Sequence, residues 1–244
     1  HMLVVTRPAD MEPVAEGELF MPAVLQADAE FNMVNTSSDD TAVILYTSGT
    51  TGKPKGAELT HFNMFFNAHY VRHNIVHAND DDVSLAVLPL FHSFGQTCIM
   101  NASIMAGCTI TMMPRFDTKR ILEVIQRDRV TIMAAVPTMY YFMLNAENKE
   151  NFDLSSIRLA VSGGSSLPLD VMRRVEEEFG LRILEGYGLS ETSPVASFNI
   201  LERPSKAGSI GLPIWGCEMK IMKDDGSFGA PEEVGEIVIR GHNV

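Results

Sequence analysis

Cysteine is scarce in this chain: three in 244 residues, at Cys98, Cys108 and Cys217. Three widely spaced thiols build neither a disulfide framework nor a zinc-ligand pattern, and they suit a reducing cytoplasm. Long apolar runs are missing too. No window of about 18 uninterrupted apolar residues occurs, which argues against a membrane-spanning helix and leaves peripheral membrane contact open. No basic segment followed by an apolar core marks a secretory leader. Positive charge is in deficit, with 19 Lys and Arg against 31 Asp and Glu and a formal net charge of −12. A general nucleic-acid binder needs a basic face, so that class is set aside. An anionic substrate must then be met by a local cluster of donors and cations. Nothing in the chain sets an oligomeric state.

What is present is an ordinary globular composition, 45% hydrophobic and 20% charged, with 15 methionines that read mainly as adaptable core filler. One stretch stands apart. Residues 46–56 read Y-T-S-G-T-T-G-K-P-K-G. Thr47, Ser48, Thr50 and Thr51 supply hydroxyls, Gly49, Gly52 and Gly56 let the backbone turn tightly, and Lys53 and Lys55 add mobile cations. Consecutive backbone N–H groups in such a turn form an anion-binding concavity, and a polyphosphate is its natural guest. The spacing is not that of a P-loop, because two residues rather than four separate Gly49 from Gly52 and Pro54 follows Lys53. The run 42–46 reads as a buried strand, and Thr60 reads as the N-cap of a helix over 61–76. Strand, glycine-rich loop, helix is thus the expected local order.

Along the rest of the chain, strands are expected at 84–88, 108–113, 130–135, 158–162 and 182–185, with helices at 94–106, 118–128, 138–147 and 168–179. This alternation predicts an α/β fold, a mostly parallel sheet flanked by helices. Residues 1–38 read as an irregular lead-in and 39–204 as the α/β subdomain. Strands at 217–222 and 234–240, joined past a turn at 224–227, read as a smaller β subdomain over 205–244. Three further stretches fall where strand ends would place ligands: L-P-L-F-H-S-F-G at 88–95, G-G-S-S-L-P at 163–168 and G-Y-G-L-S-E-T at 186–192.

The loop at 46–56 and these three stretches, in this order, resemble adenylate-forming (AMP-binding) enzymes: acyl-CoA synthetases, firefly-luciferase-like proteins and peptide-synthetase adenylation domains. The resemblance runs from about residue 39 to the end, and F-H-S-F-G-Q-T with G-E-I-V-I-R-G-H-N-V looks most like bacterial fatty-acid-CoA ligases. It implies ATP-dependent activation of a carboxylic acid, of medium or long chain, to an acyl-adenylate and then to a coenzyme A thioester. Residues 47–55 would grip the β- and γ-phosphates. Gly163, Gly164 and Ser165 would lie against adenine and line the acyl pocket, Glu185 and Gly186 would meet the adenine amino group, and Tyr187 would stack on the base. Ser190, where threonine is more usual, would meet the α-phosphate, Glu191 would bind magnesium, and His92 would stand beside the carboxylate or at the mouth of the acyl site.

Beside these family members the chain reads as a central piece, one that would continue into a ribose-binding aspartate and a small domain with the catalytic lysine. The piece alone is therefore expected to turn over little. Lys53 and Lys55 are not that lysine. An acyl-AMP ligase loading a carrier protein, and a non-catalytic nucleotide-binding or scaffold protein, remain the alternative readings.

Overall fold

The computed structural model describes residues 3–4, 18–19, 25–28, 30, 32–48, 52–204 and 206–244. The chain divides into two units, His1–Thr36 and Ser37–Val244. In the first, β1 (Leu3–Val4) pairs in parallel with β2 (Glu18–Leu19).

The second unit is built on a seven-stranded sheet. Its strands are β5 (Val83–Ala86), β6 (Thr109–Met112), β7 (Ile132–Ala135), β8 (Leu159–Ser162), β9 (Ile183–Gly188), β10 (Val195–Phe198) and β11 (Leu212–Pro213), in the spatial order β11-β10-β9-β8-β7-β5-β6. From β6 to β9 every pairing is parallel. β10 and β11 then close that edge antiparallel. The expected α/β fold is what the chain adopts, as a mixed sheet.

Side-chain alternation in the strands loads both faces. Leu85, Met133, Ala135, Ala160 and Ile183 join the helices α3 (Thr118–Asp128), α4 (Pro137–Leu144) and α5 (Leu169–Phe179) in one core. Ala86, Ile132, Ala134, Leu159, Val161 and Leu184 face the other way. They pack on α1 (His61–Tyr70), its π-wound extension Val71–Ile75, and the π-wound segment Phe94–Asn101 leading into α2 (Ala102–Ala106). The β5-to-β6 connection covers this second face and the next three connections cover the first, so the order of travel reverses between β5 and β7. Such reversals open crevices at strand carboxyl ends. Gly107 and Gly180 end their helices in the left-handed conformation, as glycine at a helix terminus does readily.

Two expectations need correction. The run 42–46 is not a buried strand of the parallel sheet. It lies in β3 (Thr41–Thr47), paired antiparallel with an unforeseen β4 (Lys55–Thr60) as a two-stranded ribbon. Ile44 and Tyr46 are 54% and 77% exposed. Thr47 and Lys55, at the two ends of the phosphate-type stretch, are therefore paired with each other, and a second strand separates that stretch from α1. Gly56 makes the pairing close: a Cβ there would stand 2.9 Å from Ile44 Cγ2. Thr60 caps α1 as expected, its hydroxyl accepting from Asn63 N while Asn63 Oδ1 accepts from Thr60 N. The second correction concerns β9, which runs three residues past 185 because β10, also unforeseen, pairs with Gly186, Tyr187 and Gly188. Farther on, β12 (Cys217–Met222) and β13 (Glu236–Gly241) form a separate antiparallel ribbon.

Candidate nucleotide and acyl site

The carboxyl ends of β8 and β9 and the loop before Phe94 enclose a cleft of about 290 Å³. Its lining comes from four stretches: Thr47 at the end of β3; His92, Ser93 and Phe94; Gly163 and Gly164; and Gly186 through Glu191, with Pro194, Val195 and Phe198 as the floor.

Glycine serves this cleft in two different ways. At Gly163 a Cβ would stand 3.2 Å from the Phe94 ring, so the flat ring that approaches this backbone is the protein's own. Gly188 is tighter, since a Cβ would fall 1.9 Å from Pro194 O, inside the β9–β10 pairing. Glu191 sits on a single turn of 3-10 helix, Ser190–Thr192, immediately after β9. The turn is tied at its start, where Leu189 N donates to Thr192 Oγ1 at 2.9 Å. Glu191 is exposed, and Thr47 Oγ1 donates to its Oε1 at 3.4 Å across 144 residues of sequence. The hairpin and the sheet edge meet at that contact.

His92 lies at the rim, exposed. Phe94 N donates to His92 Nδ1 at 3.2 Å, so a neutral ring carries its proton on Nε2 and can donate from there to a substrate oxygen. Ser93 is fully buried and its Oγ has no hydrogen-bond partner among the described residues. A buried unpaired hydroxyl costs free energy unless something completes it, so this cleft wall has polar capacity to spare. Behind the wall Cys98 is held well above the ordinary thiol range by burial, which makes it an inert packing group.

The residues singled out in the sequence separate into groups. Thr47, His92, Gly163, Gly164, Gly186, Tyr187, Ser190 and Glu191 all line the cleft. Ser48, Gly52, Lys53, Lys55 and Ser165 are exposed and outside its lining. Gly49, Thr50 and Thr51 lie outside the described residues. Glu185 is turned to structural work: Oε1 accepts from Leu167 N, and its carbonyl oxygen accepts from both N and Nδ2 of Asn199. Both carbonyl lone pairs are thereby occupied. Ser93, Gly188 and Leu189 join the lining unforeseen, although each falls inside or beside a quoted stretch. Contiguity with those stretches was the available signal.

Among the described residues no group of three or more His, Cys, Asp or Glu converges as a metal cage. Glu191 beside the Thr47 hydroxyl is instead a partial set. Magnesium is commonly held that way, through one or two carboxylates, substrate phosphates and retained waters, so these residues fit that ion.

An open α/β sheet with a glycine-walled cleft at its strand ends defines a small-molecule-binding fold of the nucleotide type. A family model described as AMP-binding enzyme matches residues 3–244, and the chain belongs to that family. It is 37% identical over 207 residues to a long-chain-fatty-acid–CoA ligase of Bacillus subtilis, covering 84% of this chain and 37% of that protein. It is 34% identical over 245 residues to 4-coumarate–CoA ligase 1 of Arabidopsis thaliana, covering 95% and 44%. Among solved structures, ATP-bound MatB from Rhodopseudomonas palustris superposes with a TM-score of 0.84 at 30% identity, covering 92% of this chain and 44% of that one. The chain thus spans about two-fifths of the length of these relatives.

Proposed function

We propose that the chain carries the nucleotide- and acid-binding part of an acid–thiol ligase, and that the complete enzyme activates a carboxylic acid with ATP. A carboxylate oxygen attacks the α-phosphorus and the bond to pyrophosphate breaks, giving an acyl-adenylate. The thiol sulfur of coenzyme A then attacks the acyl carbon, AMP departs and the thiol proton is lost. Two anions have to meet, so the protein's task is alignment and charge neutralisation rather than supply of a nucleophile. The reading rests above all on Glu191 and Thr47, which lie 144 residues apart in the sequence and meet at 3.4 Å on the rim of one cleft.

In this reading the hairpin loop 47–55 grips the β- and γ-phosphates, Ser190 donates to the α-phosphate and Tyr187 stacks on adenine. Gly163, Gly164 and Ser165 lie beside the base and the acyl group. His92 orients the acid by donation from Nε2 and transfers no proton. Magnesium, when bound by Glu191, supplies Lewis-acid charge for the phosphate oxygens. A medium- or long-chain fatty acid is the favoured substrate, supported by the likeness to the bacterial fatty-acid ligase. Plant and bacterial relatives named for coumarate and ferulate make an aryl acid the competing class.

The test is ATP–pyrophosphate exchange by the full-length protein with acids of graded chain length and with 4-coumarate. Exchange peaking with fatty acids is expected, and Glu191→Ala should lower it roughly 100-fold, the scale of removing one charge-stabilising group. Magnesium-dependent exchange retained by that variant removes Glu191 from the mechanism. Supplying coenzyme A or a phosphopantetheinylated carrier protein in turn identifies the acceptor.

A further inference from the structure

Glu191 stands on one turn of 3-10 helix that is exposed on its outer side, and so short a turn does not hold its own direction. The next residues in the chain are buried. Thr192, Ser193 and Val195 are almost wholly inaccessible, as are two asparagines beneath them, Asn67 on α1 and Asn243 just past β13. Asn67 Nδ2 donates to Val195 O at 2.9 Å and to Thr192 O at 3.4 Å, while Val195 N donates back to Asn67 Oδ1 at 3.2 Å. Asn243 Nδ2 reaches the same two carbonyls, at 3.1 Å and 3.3 Å. Each carboxamide nitrogen has two hydrogens and each carbonyl oxygen two lone pairs, so four donors meet four acceptor sites. Ser193 Oγ donates to Asn243 O at 3.0 Å, and Asn63, one turn before Asn67, donates to His242 O at 2.6 Å. The segment after Glu191 is therefore bolted to α1 and to the end of β13 by side-chain amides.

We infer that Asn67, seconded by Asn243, is a positioning residue for Glu191: it sets the direction in which the carboxylate is offered to the metal and phosphates without touching either. The inference rests on the proposed role of Glu191 as the magnesium ligand. Its physical basis is that buried amides with every donor engaged permit one arrangement, whereas a loop packed by apolar contact alone tolerates small rotations. Groups of this kind behind a metal ligand typically govern affinity by roughly 10–100-fold.

The test compares Asn67→Leu, which keeps the volume and removes the amide, with Ile125→Val, a core change in α3 remote from the cleft. Hydrogen exchange on the metal-free chain should show the amides of Thr192, Ser193 and Val195 opening roughly fivefold faster in Asn67→Leu and unchanged in the control, since an amide hydrogen bond worth about 1 kcal/mol sets that scale. Magnesium titration of ATP–pyrophosphate exchange in the full-length protein should then move the half-saturating concentration up roughly tenfold, with most of the rate recovered at saturation. An unchanged opening rate overturns the inference, and so does an unshifted magnesium midpoint in a variant whose segment has loosened. Absence of magnesium-dependent exchange in the unsubstituted protein is a different failure, that of the proposed function. If Asn67→Leu does not fold, Asn243→Ala carries the same two measurements, with smaller shifts expected in the same direction and unchanged values refuting the role.

Discussion

Substituting Asp82 by alanine should cost about 3 kcal/mol of folding free energy while leaving the cleft chemistry alone. Asp82 precedes β5, at the end of the sheet away from the cleft. Its carboxylate accepts from Arg158 Nε at 2.8 Å, Arg158 Nη2 at 2.7 Å, Thr131 Oγ1 at 2.6 Å and Asn79 N at 3.0 Å. Its backbone oxygen also accepts from Thr109 N at 2.9 Å. One carboxylate thus gathers the starts of β5, β7 and β8, and its own backbone adds β6. Charge-assisted bonds are worth about 1.5–3 kcal/mol apiece, but they do not add, and desolvating the carboxylate offsets much of their sum.

Removing one partner of a buried ion pair costs about 3–5 kcal/mol because the other charge is stranded. Here the Asp82 side chain is 5% exposed and that of Arg158 is 36% exposed, so the orphaned guanidinium rehydrates in part and the low end applies. Urea unfolding reads this directly: with a slope of about 2 kcal/mol per molar, the midpoint should fall by about 1.5 M. Arg158→Met alone strands the more deeply buried carboxylate and should cost at least as much, and the double variant less than the sum of the two. A midpoint shift below about 0.5 M would show that the knot is solvated and refute the reasoning.

The same group contributes to acid stability, and the sign comes from its environment. Burial pushes the Asp82 carboxyl up, but the bonds from Arg158, Thr131 and Asn79 outweigh it and hold the group below its ordinary range. Its contribution is therefore complete above about pH 4, where the unfolded carboxyl is ionised, and disappears as pH falls through the lower folded value. Asp82→Ala should flatten the acid limb of a stability profile below about pH 4, and an unaltered limb would contradict the assignment. Asp128 offers a second acid titration. The Arg127 guanidinium first, and the Thr111 hydroxyl second, hold its carboxyl down to about 2. Carboxyl-detected NMR should show that midpoint, and Thr111→Val should raise it. Gly188→Ala puts a Cβ where Pro194 O stands, 1.9 Å away. It should cost about 1–3 kcal/mol and weaken nucleotide binding together, and a variant as stable and as tight-binding as the original would show that β10 yields freely.

The central parallel strands β7 and β8 were readable in advance because each carries a short apolar run loaded on both faces. Leu159-Ala160-Val161 alternates between two cores and can be little else. The cleft was readable in outline for a related reason: Gly163, Gly164, Tyr187, Ser190 and Glu191 sit in or just after strands whose carboxyl ends share one edge. The hairpin was not readable. Lys55 to Thr60 has only one well-buried side chain, Leu59, so its extended form comes from backbone pairing with β3 rather than from any periodic signal. Nor was β10: Val195 to Phe198 follows Pro194 and carries Ala196 and Ser197 where an apolar run would be, so no strand signal stands out.

Residue order alone settled which groups are available: small residues that let backbone and rings approach, hydroxyls, and one carboxylate after a tyrosine. Those are local properties, carried by the chain wherever it goes. Which of them meet was a matter of packing. Thr47 reaches Glu191 because a two-stranded ribbon lies beside the sheet edge, and Glu191 holds its place because two asparagines 176 positions apart in the chain, Asn67 and Asn243, grip the same pair of carbonyls. Contacts of that span have no sequence signature, because the free energy that selects them comes from burying both partners at once.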